Sequence, residues 1–174
     1  REHCVFLDNT EQAMQIRSML LNKFMRYASH HQLNDKIKIS VVGAGATGVE
    51  MSAEMHHAVE QLSGFGYKID SSLLEVTLIE ADSRILPKVE KSEISESVTR
   101  ELKQIGVNVR TSTRIDNVTD SGLHTTDDEF IAADMVIWST GVKAPDFMKN
   151  IGGLASNAIN QVMVKPTMQS LTDT

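Results

Sequence analysis

The sequence predicts an α/β fold: a mostly parallel sheet with flanking helices and one small antiparallel β-meander. Three observations predict it. Apolar runs of strand length alternate with helix-period stripes, as "KIKISVV", "LEVTLIE" and "VNVR" do with the segments between them. From Arg114 to Ile131 the pattern changes to short strands punctuated by "DSG" and "TDDE", the turn signals of a meander. After it, "DMVIWSTG" returns to a fully apolar strand that runs to Gly141.

Each element has a local reason. "CVFLD", Cys4 to Asp8, reads as a short strand. Asn9 followed by Gln12 resembles a capping box and opens a helix expected to reach about His31. Ala13, Ile16, Leu20, Phe24 and Tyr27 share one face of that helix, so it should cover the sheet. The first long strand ends at Val42, and the following helix carries Met51, Met55, Ala58 and Leu62 in a stripe that reads as core packing. A loop is expected over "SGFGYKIDSS", residues 63–72. The second strand ends at Glu80. Ser92 is then expected to cap a helix that buries Ile94, Val98, Leu102 and Ile105, with Gly106 at its C′ position.

Composition narrows the class of function. The 174 residues suit one domain, and a hydrophobic fraction of 41% is globular. A net charge of −6 with no basic patch argues against nucleic acid as a partner. No apolar run approaches the roughly 20 residues a spanning helix needs, and no secretory signal is visible. The single Cys4 cannot form an internal disulfide, so nothing points to an oxidising compartment, and a cytoplasmic location is expected. The chain opens on Arg1 and stops at "QSLTDT", which reads as a piece of a longer polypeptide.

The strongest signal is "ISVVGAGATGVEMSAEM", where a strand breaks into Gly43, Gly45 and Gly48 and then into a helix. In a G-x-G-x-x-G turn the first glycine makes the tight turn, the second lets backbone approach a pyrophosphate, and the third lets helix and strand pack closely. The helix N-terminus adds free N–H groups and the positive dipole end, so amides around Ala46 and Thr47 should point at phosphates. Glu80 closes the second strand, where a carboxylate can accept hydrogen bonds from both hydroxyls of an adenosine ribose. It lies 32 residues beyond Gly48, against the usual spacing of about 20. The 63–72 loop accounts for the surplus, and Ala81 adjoins the acid. The combination predicts a Rossmann-like dinucleotide site.

Other residues are open to two readings. Glu50 either completes a capping box with Thr47 in a first helical turn or faces the nicotinamide end of the cofactor. Ser139, Thr140 and Gly141 end the last apolar strand and should line the crevice at the carboxyl ends of the strands. Trp138 reads as core. No metal site is expected, because His30–His31 and His56–His57 are adjacent pairs whose members do not share a helix face. The residues show a binding site without chemistry of its own.

Four stretches in this order, "VVGAGATGVEMSAEM", "VTLIEADSRILP", "MVIWSTGVKAPDF" and "IGGLASNAINQVMVKPTMQSLTD", closely resemble the type II NADH dehydrogenases, flavoproteins of the FAD/NAD(P)-binding type. The resemblance implies FAD in one domain of the polypeptide, NADH in a second, and electrons passed to a membrane quinone. It also implies a peripheral enzyme on the cytoplasmic membrane face, usually a homodimer. By the same resemblance Glu50 lies beside the nicotinamide, Glu80 holds the ribose, and Gly141 lies against the cofactor. Residues 1–34 then form a connecting strand and covering helix, 35–145 the NADH-binding core, and 146–174 a segment returning toward the FAD domain. Glu80 is expected to favour NADH over NADPH, with Arg84 near enough to soften repulsion of a 2′-phosphate. Two rivals stand beside this reading: another flavoprotein reductase of the ferredoxin, nitrite or disulfide type, and a non-enzymatic NAD sensor.

Overall fold

The computed structural model describes residues 3–7, 9–30, 36–64, 71–141 and 143–172. Expectations about Asp8, His31, residues 65–70 and the side chains of Tyr27, His30 and Leu62 lie outside the described residues. The chain forms two compact units, Arg1–Thr140 and Gly141–Thr174. Among the described residues no helix is long and apolar enough to cross a membrane.

The first unit is built on five parallel strands, β1 (Val5–Phe6), β2 (Ile37–Val42), β3 (Leu74–Ile79), β4 (Asn108–Arg110) and β8 (Met135–Trp138), in the order β1-β8-β2-β3-β4. Helices α1 (Thr10–His30), α2 (Ala46–Gly64) and α3 (Ser92–Gln104) connect β1 to β2, β2 to β3 and β3 to β4. All three steps move the same way across the sheet. Right-handed crossovers therefore place all three helices on one face. The step from β4 back to β8 runs the other way, so its connection falls on the opposite face. That connection is the antiparallel meander β5 (Ile115–Val118), β6 (Gly122–Thr125) and β7 (Phe130–Ala132).

Strand alternation divides the core accordingly. Ile39, Val41, Val76, Leu78 and Ile137 face the helices, where they join Ile16 and Phe24 of α1, Met55 and Val59 of α2, and Leu102 of α3. The alternate positions Val42, Ile79 and Val136 face the meander and pack with Leu123, which is fully buried. Trp138 packs on this second cluster, as its core reading expected. Burying a side chain of this size contributes about 1.5–3 kcal/mol, so the two faces together hold the sheet rigid under the site.

The helix ends follow the sequence in part. Asn9 Oδ1 accepts the N–H of Gln12 at 2.9 Å, the cap expected at the start of α1. At the end of α3, Gly106 has φ +94°, and the pair Val107 N–H to Leu102 O and Gly106 N–H to Lys103 O completes a Schellman motif. Three expectations change. Lys91, not Ser92, is the N-cap of α3 and makes no side-chain cap bond. Ile94 and Ile105 are each 45% exposed, and α3 buries Ser95 and Leu102 instead. The buried position at Ser95 is polar, so an apolar stripe could not reveal it. The loop after α2 begins later than expected, because Ser63 and Gly64 are still helical.

The second unit is a run of turns. Two isolated bridges, Ser156↔Val162 and Val164↔Ser170, close short antiparallel loops. Asn160, 3% exposed, donates to the Ala144 carbonyl and to Asp146 Oδ1. Lys143 and then Asn160 hold the Asp146 carboxyl below its usual range.

Candidate nucleotide site at the glycine turn

The turn sits at the carboxyl end of β2, and its three glycines meet three different constraints. Gly43 donates to the Ile79 carbonyl at 2.8 Å and has φ +102°; a Cβ there would also lie 2.8 Å from the Thr140 Cβ. At Gly48 a Cβ would fall 1.9 Å from the Gly43 carbonyl oxygen, so helix and strand approach too closely for any side chain. At Gly45 a Cβ would meet nothing within 4 Å. The middle glycine thus borders open space, where a ligand can approach bare backbone.

Beyond it, Gly45, Ala46 and Thr47 are exposed. The ladder of α2 begins with Val49 N–H to the Gly45 carbonyl at 3.0 Å, so the N–H groups of Ala46, Thr47 and Gly48 precede it and have no intrahelical acceptor, as at any helix N-terminus. Thr47 therefore lies inside the helix. The capping box with Glu50 requires Thr47 outside it and does not form; the first turn of α2 contains no acid. Glu50 is exposed in the second turn.

Glu80 is joined to the turn directly. Its Oε2 accepts the Ala44 N–H at 2.7 Å and its Oε1 accepts the Asp82 N–H at 3.1 Å. An ionised carboxylate offers about four lone-pair sites, so two remain for a ribose diol. The backbone of Glu80 is held as well, with its N–H on the Arg110 carbonyl and its C=O accepting from Thr113. Ala81 beside it is exposed. Arg110 Nη1 and Nη2 donate to Oε1 and Oε2 of Glu129, tying the end of β4 to the β6–β7 turn and holding the Glu129 carboxyl below its ordinary value.

The "WSTG" residues divide. Strand β8 ends at Trp138, earlier than Gly141. Ser139 is buried and donates from Oγ to the Gly43 carbonyl at 2.8 Å, bracing the turn from below. Thr140 is exposed beside Gly43, and Gly141, with φ +81°, opens the second unit. Arg84 does not stand free beside Glu80. It donates to Ser95 Oγ and to the carbonyls of Pro87 and Val89. The Ala44–Glu80 link and the Arg84 clamp join residues 36 and 11 positions apart, which no local spacing announces.

A dinucleotide fits these groups: bare backbone for the pyrophosphate, three N–H donors at a helix end, and a preset carboxylate for the ribose. An apolar cleft of about 410 Å³ between α1 and α2 is lined by residues such as Leu20, Phe24 and Met51 and by none of the glycine-turn residues.

The family described as pyridine nucleotide-disulphide oxidoreductase matches residues 2–174. The chain is 40% identical over 187 aligned residues to a type II NADH:quinone oxidoreductase of Haemophilus influenzae, covering 99% of this chain and 42% of that protein. It is 32% identical to the external alternative NAD(P)H-ubiquinone oxidoreductase B3, mitochondrial, of Arabidopsis thaliana, covering 87% of this chain and 28% of that protein. The chain therefore spans less than half the length of these relatives. In fold it matches NDH2 from Plasmodium falciparum, solved in complex with NADH, with a TM-score of 0.73 at 20% identity over 84% of this chain and 32% of that one. With a match along almost its whole length, the chain belongs to the pyridine nucleotide-disulphide oxidoreductase family.

Proposed function

We propose that this chain is the NADH-binding domain of an FAD-dependent type II NADH:quinone oxidoreductase. The observation that carries the reading is the Glu80 carboxylate hydrogen-bonded to Ala44 inside the glycine turn. That contact supports the reading because it joins the strand-end carboxylate directly to the glycine turn. The 40% identity to the Haemophilus influenzae enzyme supports the type II assignment.

In this reading Gly45 admits the pyrophosphate, the N–H groups of Ala46, Thr47 and Gly48 bind it, and Glu80 takes the ribose hydroxyls, with Ala81 alongside. Glu50, exposed on the same helix, contacts the nicotinamide end, and Thr140 and Gly141 flank the cofactor. Ser139 holds the turn and does not touch the ligand. FAD, held by another domain of the same polypeptide, supplies the hydride acceptor. The protein's part here is to bind and orient NADH. Within the chain, 35–145 is the NADH-binding core, 1–34 its covering strand and helix, and 146–174 the segment that packs toward the FAD domain. Phe147 and Met168, 69% and 78% exposed, support that last assignment. The whole enzyme passes electrons to quinone as a homodimer on the cytoplasmic membrane face.

Calorimetric titration of the purified chain tests the reading. It should be colourless, bind NADH and leave a soluble quinone unreduced. A bound flavin spectrum would reassign the turn to FAD.

A further inference from the structure

We propose that Arg84 is a positioning residue for the pyrophosphate cradle, acting on the Gly43–Gly48 turn through the Ile85–Pro87 segment. The inference rests on the dinucleotide reading above. Its basis is a relay of hydrogen bonds from α3 to the turn. Arg84 Nη1 donates to Ser95 Oγ at 2.9 Å, and Nη2 donates to the carbonyls of Pro87 at 3.0 Å and Val89 at 2.6 Å. Ser95 Oγ in turn donates to the Ile85 carbonyl at 2.6 Å. The segment so gripped contains Leu86, whose N–H donates to the Ala44 carbonyl at 2.7 Å.

Leu86 is the strained link. Its φ of +50° lies in the left-handed region that a bulky side chain rarely adopts. Such a conformation persists only where the surroundings over-determine it. Here the surroundings are the fully buried Ile85 and the Arg84 fork, whose planar donors bridge three acceptors at once. The result reaches the site. Both peptide units that flank Ala44 are held, the first through the Ala44 N–H on Glu80 and the second through the Ala44 carbonyl on Leu86. The backbone of Gly45 and Ala46 follows from the fixed 44–45 peptide unit, so its N–H groups are aimed before a ligand arrives. Arg84 touches no ligand in this arrangement. It stabilises one orientation of the cradle.

Releasing Leu86 lowers the fraction of molecules with a competent cradle, and apparent affinity falls in proportion to that fraction. For relief of one strained residue the expected loss is about tenfold. The test compares wild type, Arg84→Met and Ser95→Ala. ADP-ribose affinity is measured by calorimetry, amide hydrogen exchange by NMR, and folding by melting curves. Arg84→Met keeps the length of the side chain without its donors. It should bind ADP-ribose about tenfold more weakly, with faster exchange at Leu86 and Ala44 and unchanged exchange at Val41 and Leu78. Ser95→Ala removes one link and should show the same local pattern with a smaller loss, and it decides the matter should Arg84→Met fail to fold. ADP-ribose affinity within twofold of wild type in the folded variants would overturn the proposal. So would exchange that rises evenly through the sheet, since Arg84 would then merely hold the fold. A wild-type protein that does not bind ADP-ribose overturns the dinucleotide reading itself, and this proposal with it.

Discussion

Replacing Glu80 with Gln tests the link between ribose recognition and the glycine turn. In the wild type two backbone donors, from Ala44 at 2.7 Å and Asp82 at 3.1 Å, approach one carboxylate oxygen each. Glutamine offers one oxygen acceptor and one NH₂ donor. One of the two N–H groups must then face another donor, and the ribose loses a charged acceptor. A hydrogen bond to a charged group is worth about 1.5–3 kcal/mol, or roughly tenfold to a hundredfold in NADH affinity at about 1.4 kcal/mol per factor of ten. Leaving a donor unsatisfied costs about 1–3 kcal/mol of stability, which for a chain of this size lowers Tm by about 2–4 °C per kcal/mol. The variant should therefore lose affinity and stability together. In the wild type a 2′-phosphate would bring negative charge against the Glu80 carboxylate, so NADH should bind much more tightly than NADPH. Titration of both nucleotides against wild type and Glu80→Gln, with melting curves, is the assay. Equal NADH and NADPH affinities in the wild type would refute the reasoning, as would a variant that keeps full NADH affinity.

The glycines should separate in the same assays. Gly45→Ala adds a methyl to open space, so its Tm should stay near wild type while NADH binding falls; Gly48→Ala drives a Cβ onto the Gly43 carbonyl and should lower Tm sharply. Glu50→Gln should weaken NADH more than ADP-ribose, with little change in Tm because no capping box is lost; equal losses for the two ligands would remove Glu50 from the nicotinamide end. The Glu129 carboxyl is depressed below its ordinary 4.5 by the Arg110 hydrogen bond. Its contribution is therefore present above that value and disappears as pH falls through the lower folded value. Glu129→Gln should show a small Tm deficit at neutral pH that closes on acidification below about pH 4.5.

What was legible in the sequence was local. The Asn9 cap, the C′ glycine after α3, the meander turns and the three glycine roles each depend on neighbours within a few residues, and each can be read from spacing. Glu80 was expected to end the second strand and instead directly follows β3, which ends at Ile79. The Glu80 bond to Ala44 was not legible, because the two residues lie 36 positions apart and only the pairing of β2 with β3 brings them together. Helix α3 misled because its stripe contains more apolar residues than the sheet edge can cover. Ile94 and Ile105 stay exposed, while the clamp selects Ser95 for burial. Arg84 looked like a cation for a nearby anion, yet three of its N–H groups bond the Ser95 hydroxyl and two carbonyls, partners that carry no sequence signature.

The strand order has a consequence for synthesis on the ribosome. Strand β8 is made last in the first unit, yet it lies between β1 and β2, pairing Val5 with Ile137 on one side and Ile39 with Met135 on the other. Until residue 138 has emerged, the nascent chain holds β2 as an open apolar edge, with β1 waiting on the far side of a gap one strand wide. Pairings this distant in sequence form slowly, and an open edge of that kind invites strands from other chains. The insertion of Met135–Trp138 thus completes the five-stranded sheet, and it brings Ser139 against the glycine turn. A chain halted before that point would lack at once the strand that joins β1 to β2 and the Ser139 brace under the glycine turn.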